Sequence, residues 1–84
     1  MEMDQDTAFT LAHNKLMELA AEIEHDLMFA KSGPRRSKHG WLFFYNTVEA
    51  IQTGNPLAGL AGNGPIFVSD DGEVSFKGSA VGSY

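Results

Sequence analysis

Residues 7–31 contain neither glycine nor proline, and this stretch constrains the fold more than any other feature of the sequence. Within it, apolar residues recur at steps of three and four, which places them on one face of an α-helix. The predicted apolar face consists of Phe9, Ala12, Leu16, Leu19, Ala20 and Ile23. Asp4 or Asp6 is positioned to cap the helix by accepting a backbone N–H. A helix that continued through Leu27 would be about 38 Å long, whereas a globule of 84 residues is about 30 Å across. We therefore predict that the helix ends near residues 24–26.

The remaining chain is predicted to form short strands and one short helix. Aromatic and β-branched residues favour strands, and glycine beside proline, asparagine or aspartate marks the turns. The predicted strands are residues 27–30, 40–45, 66–68 and 74–77, and a short helix over residues 47–52 ends at Gly54. The predicted fold class is α+β: one domain over residues 1–84 in which an N-terminal α-helix packs on a four-stranded antiparallel sheet. The expected order of elements is α-β-β-short α-β-β.

Alternation along the predicted strands separates two faces of the sheet. The face predicted to meet the helix carries Trp41, Phe43 and Tyr45. Leu42, Phe44 and Phe67 then lie on the other face, which a single helix does not cover. A contiguous apolar patch of that kind is unusual on a monomer. We expect the glycine-rich loop to cover it through Leu57 and Leu60, or a second copy of the chain or another protein to do so.

Charge is unevenly distributed along the chain. The net charge is −5, and residues 1–26 hold seven acids against a single lysine. Glu18, Glu22 and Asp26 form an acidic helix surface that is either a solvated face or a site for a basic partner. Residues 31–38 carry four bases and no acid: Lys31, Arg35, Arg36 and Lys38. Four cations on an acidic domain predict only weak, salt-dependent binding of nucleic acid.

The sequence offers no pattern typical of an enzyme, a metal site or a cofactor site. The glycine-rich segment 59–64 is followed by Pro65 and a predicted strand, whereas phosphate-binding loops lead into a helix. His13, His25 and His39 lack the spacing of zinc ligands. No serine has the context of a nucleophile elbow. We therefore expect no catalytic residue, no metal and no cofactor.

Several features favour a soluble, cytoplasmic chain. Cysteine is absent, so no disulfide framework supports the fold. Residues 1–4 are acidic and lack the basic-then-apolar order of a signal peptide. No apolar run reaches the ~18 residues needed to cross a membrane.

Two motifs carry a family resemblance: Gly-Trp-x-Phe-x-Tyr at residues 40–45 and Leu-Ala-Gly-Asn-Gly-Pro at residues 60–65. In this order and at this distance, they resemble the immunity protein 35 family, which includes YrhB-like proteins. The resemblance extends over residues 8–80 and implies a bacterial α+β domain, encoded beside polymorphic toxins, that binds and neutralises a cognate toxin. It also admits chaperone-like behaviour. The family-type positions, which we interpret as scaffold, are Gly40, Trp41, Phe43, Tyr45, Gly62, Asn63, Gly64 and Pro65.

The leading hypothesis is a non-enzymatic immunity protein that binds its toxin in a stoichiometric complex; the net charge of −5 would speed its encounter with a basic toxin, such as a nuclease. The expected contact surface is either the acidic helix surface or the sheet face with Leu42, Phe44 and Phe67, and we favour the sheet face. The alternatives are a chaperone-like or homodimeric module, and a weak nucleic-acid binder that uses residues 31–38.

Overall fold

The computed structural model describes residues 3–55, 59 and 64–77. It contains two helices and six strands: α1 (Gln5–Ile23), β1 (Leu27–Phe29), β2 (Arg35–Ser37), β3 (Gly40–Phe43), β4 (Tyr45–Thr47), α2 (Val48–Thr53), β5 (Ile66–Ser69) and β6 (Val74–Phe76). The strands form two antiparallel sheets, a four-stranded sheet in the order β2-β3-β5-β6 and a two-stranded sheet of β1 and β4. The predicted α+β class, with an N-terminal helix on an antiparallel sheet, is confirmed.

Both ends of α1 lie where local chemistry predicts them. The carboxylate of Asp4 accepts a hydrogen bond from the Thr7 N–H at 3.2 Å and caps the first turn. At the other end Glu24 adopts a left-handed conformation, with φ of 56° and ψ of 41°, which stops the helix. The predicted Asp4 cap and the predicted break at residues 24–26 are confirmed.

The strands differ from the prediction in two respects. Residues 40–45 were expected to form one strand, but the ladder breaks at Phe44. β3 pairs with β2 and β5, whereas β4 pairs with β1 through Phe29 opposite Tyr45 and Leu27 opposite Thr47. The prediction also missed β2, which lies within the basic segment of residues 31–38. β2 was missed because the contacts that hold it, between Arg36 and the residues Asp70 and Trp41, are with other parts of the chain.

The short elements follow their capping signals. The Thr47 hydroxyl accepts a hydrogen bond from the Ala50 N–H at 3.0 Å and starts α2, and Gly54, with φ of 71°, ends it. Gly72, with φ of 89°, closes the β5–β6 hairpin in a conformation that favours glycine. The predicted short helix and the last hairpin are confirmed.

The core lies between α1 and the sheets. Its fully or nearly fully buried side chains are Ala8, Ala12, Leu16, Leu27, Phe43, Tyr45, Ile66 and Val68. Trp41 and Val74 pack against this cluster, so the predicted helix-facing side of the sheet is confirmed. Phe9 is the exception on the predicted apolar face of the helix, because 46% of its surface is exposed.

The loop residues Leu57 and Leu60, expected to cover the second sheet face, lie outside the described residues. Within the described ranges, neither helix has the length and apolar character of a membrane span.

Candidate partner-binding surface

An apolar pocket opens on the protein surface between α1, β1 and the turn that follows β1. Its volume is about 200 Å³. Seven residues line it and define what we call the Phe44 pocket: Phe9, Phe29, Ala30, Gly33, Pro34, Phe43 and Phe44. Phe44 is 37% exposed and Phe9 is 46% exposed, so aromatic carbon faces solvent at the mouth.

The position of Phe44 follows from the break between β3 and β4. Its carbonyl accepts a hydrogen bond from the Ala30 N–H at 2.8 Å, which fixes the backbone where the chain leaves one sheet for the other. Phe43, its neighbour, points into the core and is fully buried. The Phe44 side chain is therefore held at the surface by a backbone that the fold has already fixed.

Aromatic contacts form the walls of the pocket. The Phe29 ring centroid lies 5.3 Å from that of Phe9 and 5.5 Å from that of Phe43, distances typical of favourable aromatic pairs. The His13 ring stacks on Phe9 at 5.8 Å and continues this surface along α1. Phe9 was predicted on the apolar face of the helix and Phe29 in a strand, and neither was given a role in binding. The sequence places Phe9 on the predicted apolar face of the helix, which does not distinguish it from the buried residues of that face.

One cation, Arg35, lies beside the pocket. The Arg35 guanidinium lies 5.9 Å from the Phe44 ring centroid, within range of a cation–π interaction. Lys31, in the turn after β1, is exposed. Within the described part of the chain, neither Lys31 nor Arg35 forms an ion pair with a carboxylate.

Arg36 has a different environment from the other bases of residues 31–38. Two of its nitrogens donate to the two carboxylate oxygens of Asp70, at 2.8 and 2.9 Å, and its guanidinium lies 5.6 Å from the Trp41 ring centroid. The Asp70 carboxylate also accepts from the Met3 N–H, and the Trp41 indole donates to the Met3 carbonyl at 2.8 Å. These contacts join β2, β3 and the start of the chain.

The same hydrogen bonds determine the acidity of Asp70. The Arg36 guanidinium first, and the Met3 N–H second, stabilise the carboxylate and lower the pKa of Asp70 from 3.8 to about 2. Because Arg36 is paired with Asp70 in the folded chain, one of the four bases considered for nucleic-acid binding already has a carboxylate partner.

The predicted sheet-face anchors are divided by the structure. Leu42 is 4% exposed and Phe67 is 8% exposed, and the two are cross-strand partners of β3 and β5. The Lys77 ammonium lies 4.9 Å from the Phe67 ring centroid. The sequence left open whether this face is covered within the chain; Leu42 and Phe67 are covered, and only Phe44 of that set presents a large exposed side chain.

The acidic residues proposed as the second candidate surface are all exposed. Glu18 and Glu22 lie one turn apart on α1. Asp26 lies beyond the helix end, where its carbonyl accepts from the Val48 N–H that begins α2. The three acids therefore do not form one helical stripe.

Beside Asp26 lies a second, polar groove of about 380 Å³, lined also by His25, Thr47 and Glu49. Across the described residues, no group of three histidine, cysteine or carboxylate side chains is arranged to hold a metal.

The described family-type positions lie at the centre of the fold. Gly40, Phe43, Tyr45 and Pro65 are buried and Trp41 packs on the core. At Gly40, an added Cβ would lie 2.9 Å from the Phe67 ring and closer still to the Val68 carbonyl oxygen. Gly62 and Asn63 lie outside the described residues.

Comparison with known families gives one result that covers nearly the whole chain. The family model for immunity protein 35 matches residues 6–82. The chain belongs to the immunity protein 35 family. No curated protein and no solved structure gave a significant match. The resemblance noted in the two sequence motifs is confirmed, and the Phe44 pocket is a surface feature of this immunity protein 35 member.

Proposed function

We propose that this immunity protein binds a cognate bacterial toxin in a stoichiometric complex and neutralises it without catalysis of its own. The observation that carries the proposal is the family match over residues 6–82. The exposed aromatic mouth of the Phe44 pocket supports it, because aromatic side chains are enriched among the residues that dominate binding energy at protein interfaces.

Electrostatics favour a basic toxin. The chain carries a net charge of −5, and Glu18, Glu22 and Asp26 are exposed. Long-range attraction between oppositely charged proteins raises the association rate, and salt screens it with a Debye length of about 8 Å at physiological ionic strength. We expect the association rate to fall as salt rises, while the dissociation rate changes little.

The experiment is co-expression with each toxin encoded beside the gene for this chain. We expect growth rescue by the immunity protein, and a one-to-one complex in size-exclusion chromatography with light scattering. A toxin that remains fully active in the presence of excess folded immunity protein would contradict the proposal.

A second candidate function is a chaperone-like module. The exposed side chains of Phe9, Met17, Phe44 and Phe76 favour it, since they offer apolar area to unfolded chains. Suppression of aggregation of unrelated proteins, without selective binding of one toxin, would support this function instead.

A further inference from the structure

The size of the Phe44 pocket restricts what can enter it. An engineered apolar cavity of about 150 Å³ binds a benzene molecule. The pocket measures about 200 Å³ and is open to solvent, so it accommodates a single leucine, methionine or phenylalanine side chain. Its base is firm, because Phe43 is fully buried and the rings of Phe29 and Phe9 contact it.

The charge beside the pocket restricts the occupant further. Arg35 lies beside the Phe44 ring and has no carboxylate partner among the described residues. The acid nearest to Phe9 along α1 is Asp6, on the helix that forms the opposite wall. An apolar pocket with a cation beside it that has no carboxylate partner among the described residues is complementary to an apolar group that has an anion next to it.

We propose that the Phe44 pocket receives one apolar side chain of the toxin, and that Arg35 pairs with a carboxylate adjacent to that side chain. This inference rests on the proposed function and adds the chemistry of the contact. A toxin with a net positive charge still carries individual carboxylates. Long-range attraction between the two proteins speeds their association, whereas an ion pair between Arg35 and one toxin carboxylate fixes how the two surfaces are oriented.

A dye tests the chemistry of the pocket without any toxin. 8-Anilino-1-naphthalenesulfonate joins an aromatic group to an anion, whereas N-phenyl-1-naphthylamine is its uncharged counterpart. We expect Phe44→Ala to weaken both dyes at least tenfold. Arg35→Gln weakens only the sulfonate, by about fivefold, which corresponds to ~1 kcal/mol.

The chain provides matched controls for both substitutions. Phe76 is a phenylalanine of similar exposure, 43%, on the edge strand β6, and Lys38 is an exposed base in the β2–β3 turn. Phe76→Ala and Lys38→Gln should leave both dye affinities within twofold of the wild-type chain. Equal losses in the control variants, or an Arg35→Gln variant that binds the sulfonate normally, would overturn the inference. Circular dichroism melts confirm that each variant is folded.

The toxin then tests the biological occupant. We expect the toxin to displace the sulfonate dye, and Phe44→Ala to weaken toxin binding by about 30-fold or more, the scale of an interface hot spot. Equal affinity for the wild-type chain and Phe44→Ala overturns the pocket assignment but leaves the proposed function intact. Failure of the wild-type chain to bind or neutralise the toxin refutes the proposed function itself, while the dye still reports on the pocket.

Among the described residues, the exposed pair Met17-Glu18 has the required chemistry. Light scattering of the free protein therefore belongs to the test. A stable dimer that both Met17→Ala and Phe44→Ala dissociate would identify a second copy as the occupant and overturn the assignment to the toxin. A monomer at the concentrations used for toxin binding supports it.

Discussion

Gly40→Ala is the substitution whose cost the structure defines most sharply. Gly40 lies opposite Ser69 on β5, and a Cβ built there meets the Ser69 Cα and the Phe67 ring at 2.9 Å each and comes closer still to the Val68 carbonyl oxygen. Two of these three atoms belong to the backbone of a strand with neighbours on both sides, so no side-chain rotation relieves the contact. Overpacking costs about 1–3 kcal/mol when neighbours can adjust, and here β3 must move away from β5. We therefore expect a loss of at least ~3 kcal/mol.

That loss is large for a chain of 84 residues, whose expected free energy of unfolding is about 4–13 kcal/mol. At about 4–8 °C per kcal/mol for domains of this size, the melting temperature should fall by at least about 12 °C. The assay is urea unfolding followed by far-UV circular dichroism and by the fluorescence of Trp41, the single tryptophan. The slope of the unfolding free energy against urea reports whether the compactness of either state has changed.

Gly54→Ala is the matched control for Gly40→Ala. Gly54 has a positive φ of 71°, and among the described residues no atom beyond its own chain neighbours lies within 4 Å of a built Cβ, so alanine there meets backbone strain of about 1–2 kcal/mol. Gly40→Ala therefore tests steric contact, whereas Gly54→Ala tests backbone strain. The reasoning is refuted if Gly40→Ala unfolds within 1 kcal/mol of the wild-type chain, or if Gly54→Ala is the more damaging change.

Three further substitutions test the remaining parts of the fold. Because the Arg36 guanidinium and the Met3 N–H lower the pKa of Asp70 to about 2, the carboxylate stabilises the fold above the unfolded-state pKa of about 3.9, and this contribution is lost as pH falls towards 2. The stability difference between the wild-type chain and Asp70→Asn, measured as urea midpoints from pH 2 to 6, should therefore shrink below pH 4; a constant difference would contradict the assignment. Leu16→Ala removes a fully buried side chain between α1 and the sheet and should cost about 2–5 kcal/mol by urea unfolding, so a loss below 1 kcal/mol would show that the core is misplaced. Thr47→Ala removes the hydroxyl that caps α2 and should cost about 1 kcal/mol, whereas Thr47→Ser, which keeps that oxygen, should unfold near the wild-type midpoint.

The predictions from sequence succeeded where the cause is local. Asp4 caps α1 because its carboxylate accepts a hydrogen bond from the N–H of Thr7, three residues later. Gly54 ends α2 and Gly72 forms the turn of the last hairpin, because each adopts a positive φ. The end of α1 near Glu24 came from a length argument, and the chain satisfies it with a left-handed residue that is not glycine. Local hydrogen bonding and chain dimensions are both readable from residue order.

The errors arise where the cause is distant in sequence. β2 has a low intrinsic preference for strand, and its place depends on the contacts of Arg36 with Asp70 and Trp41. The division between β3 and β4 at Phe44 was missed because alternation of side chains does not reveal which partner strand each half pairs with.

Because the break between β3 and β4 leaves the Phe44 side chain at the surface, substitution of Phe44 can test binding without removing core packing. Leu42 and Phe67 share a predicted face with Phe44, but they are buried cross-strand partners, so truncating either removes core packing and would confound any measurement of affinity. The Phe44 carbonyl is held by the Ala30 N–H, a backbone bond that no side-chain substitution at position 44 removes. Phe44→Ala should therefore retain most of the free energy of unfolding while it empties the mouth of the pocket. For that reason Phe44 is the residue at which a loss of toxin affinity can be assigned to the interface, and a loss of stability comparable to that of Leu42→Ala would show that its exposed position is wrong.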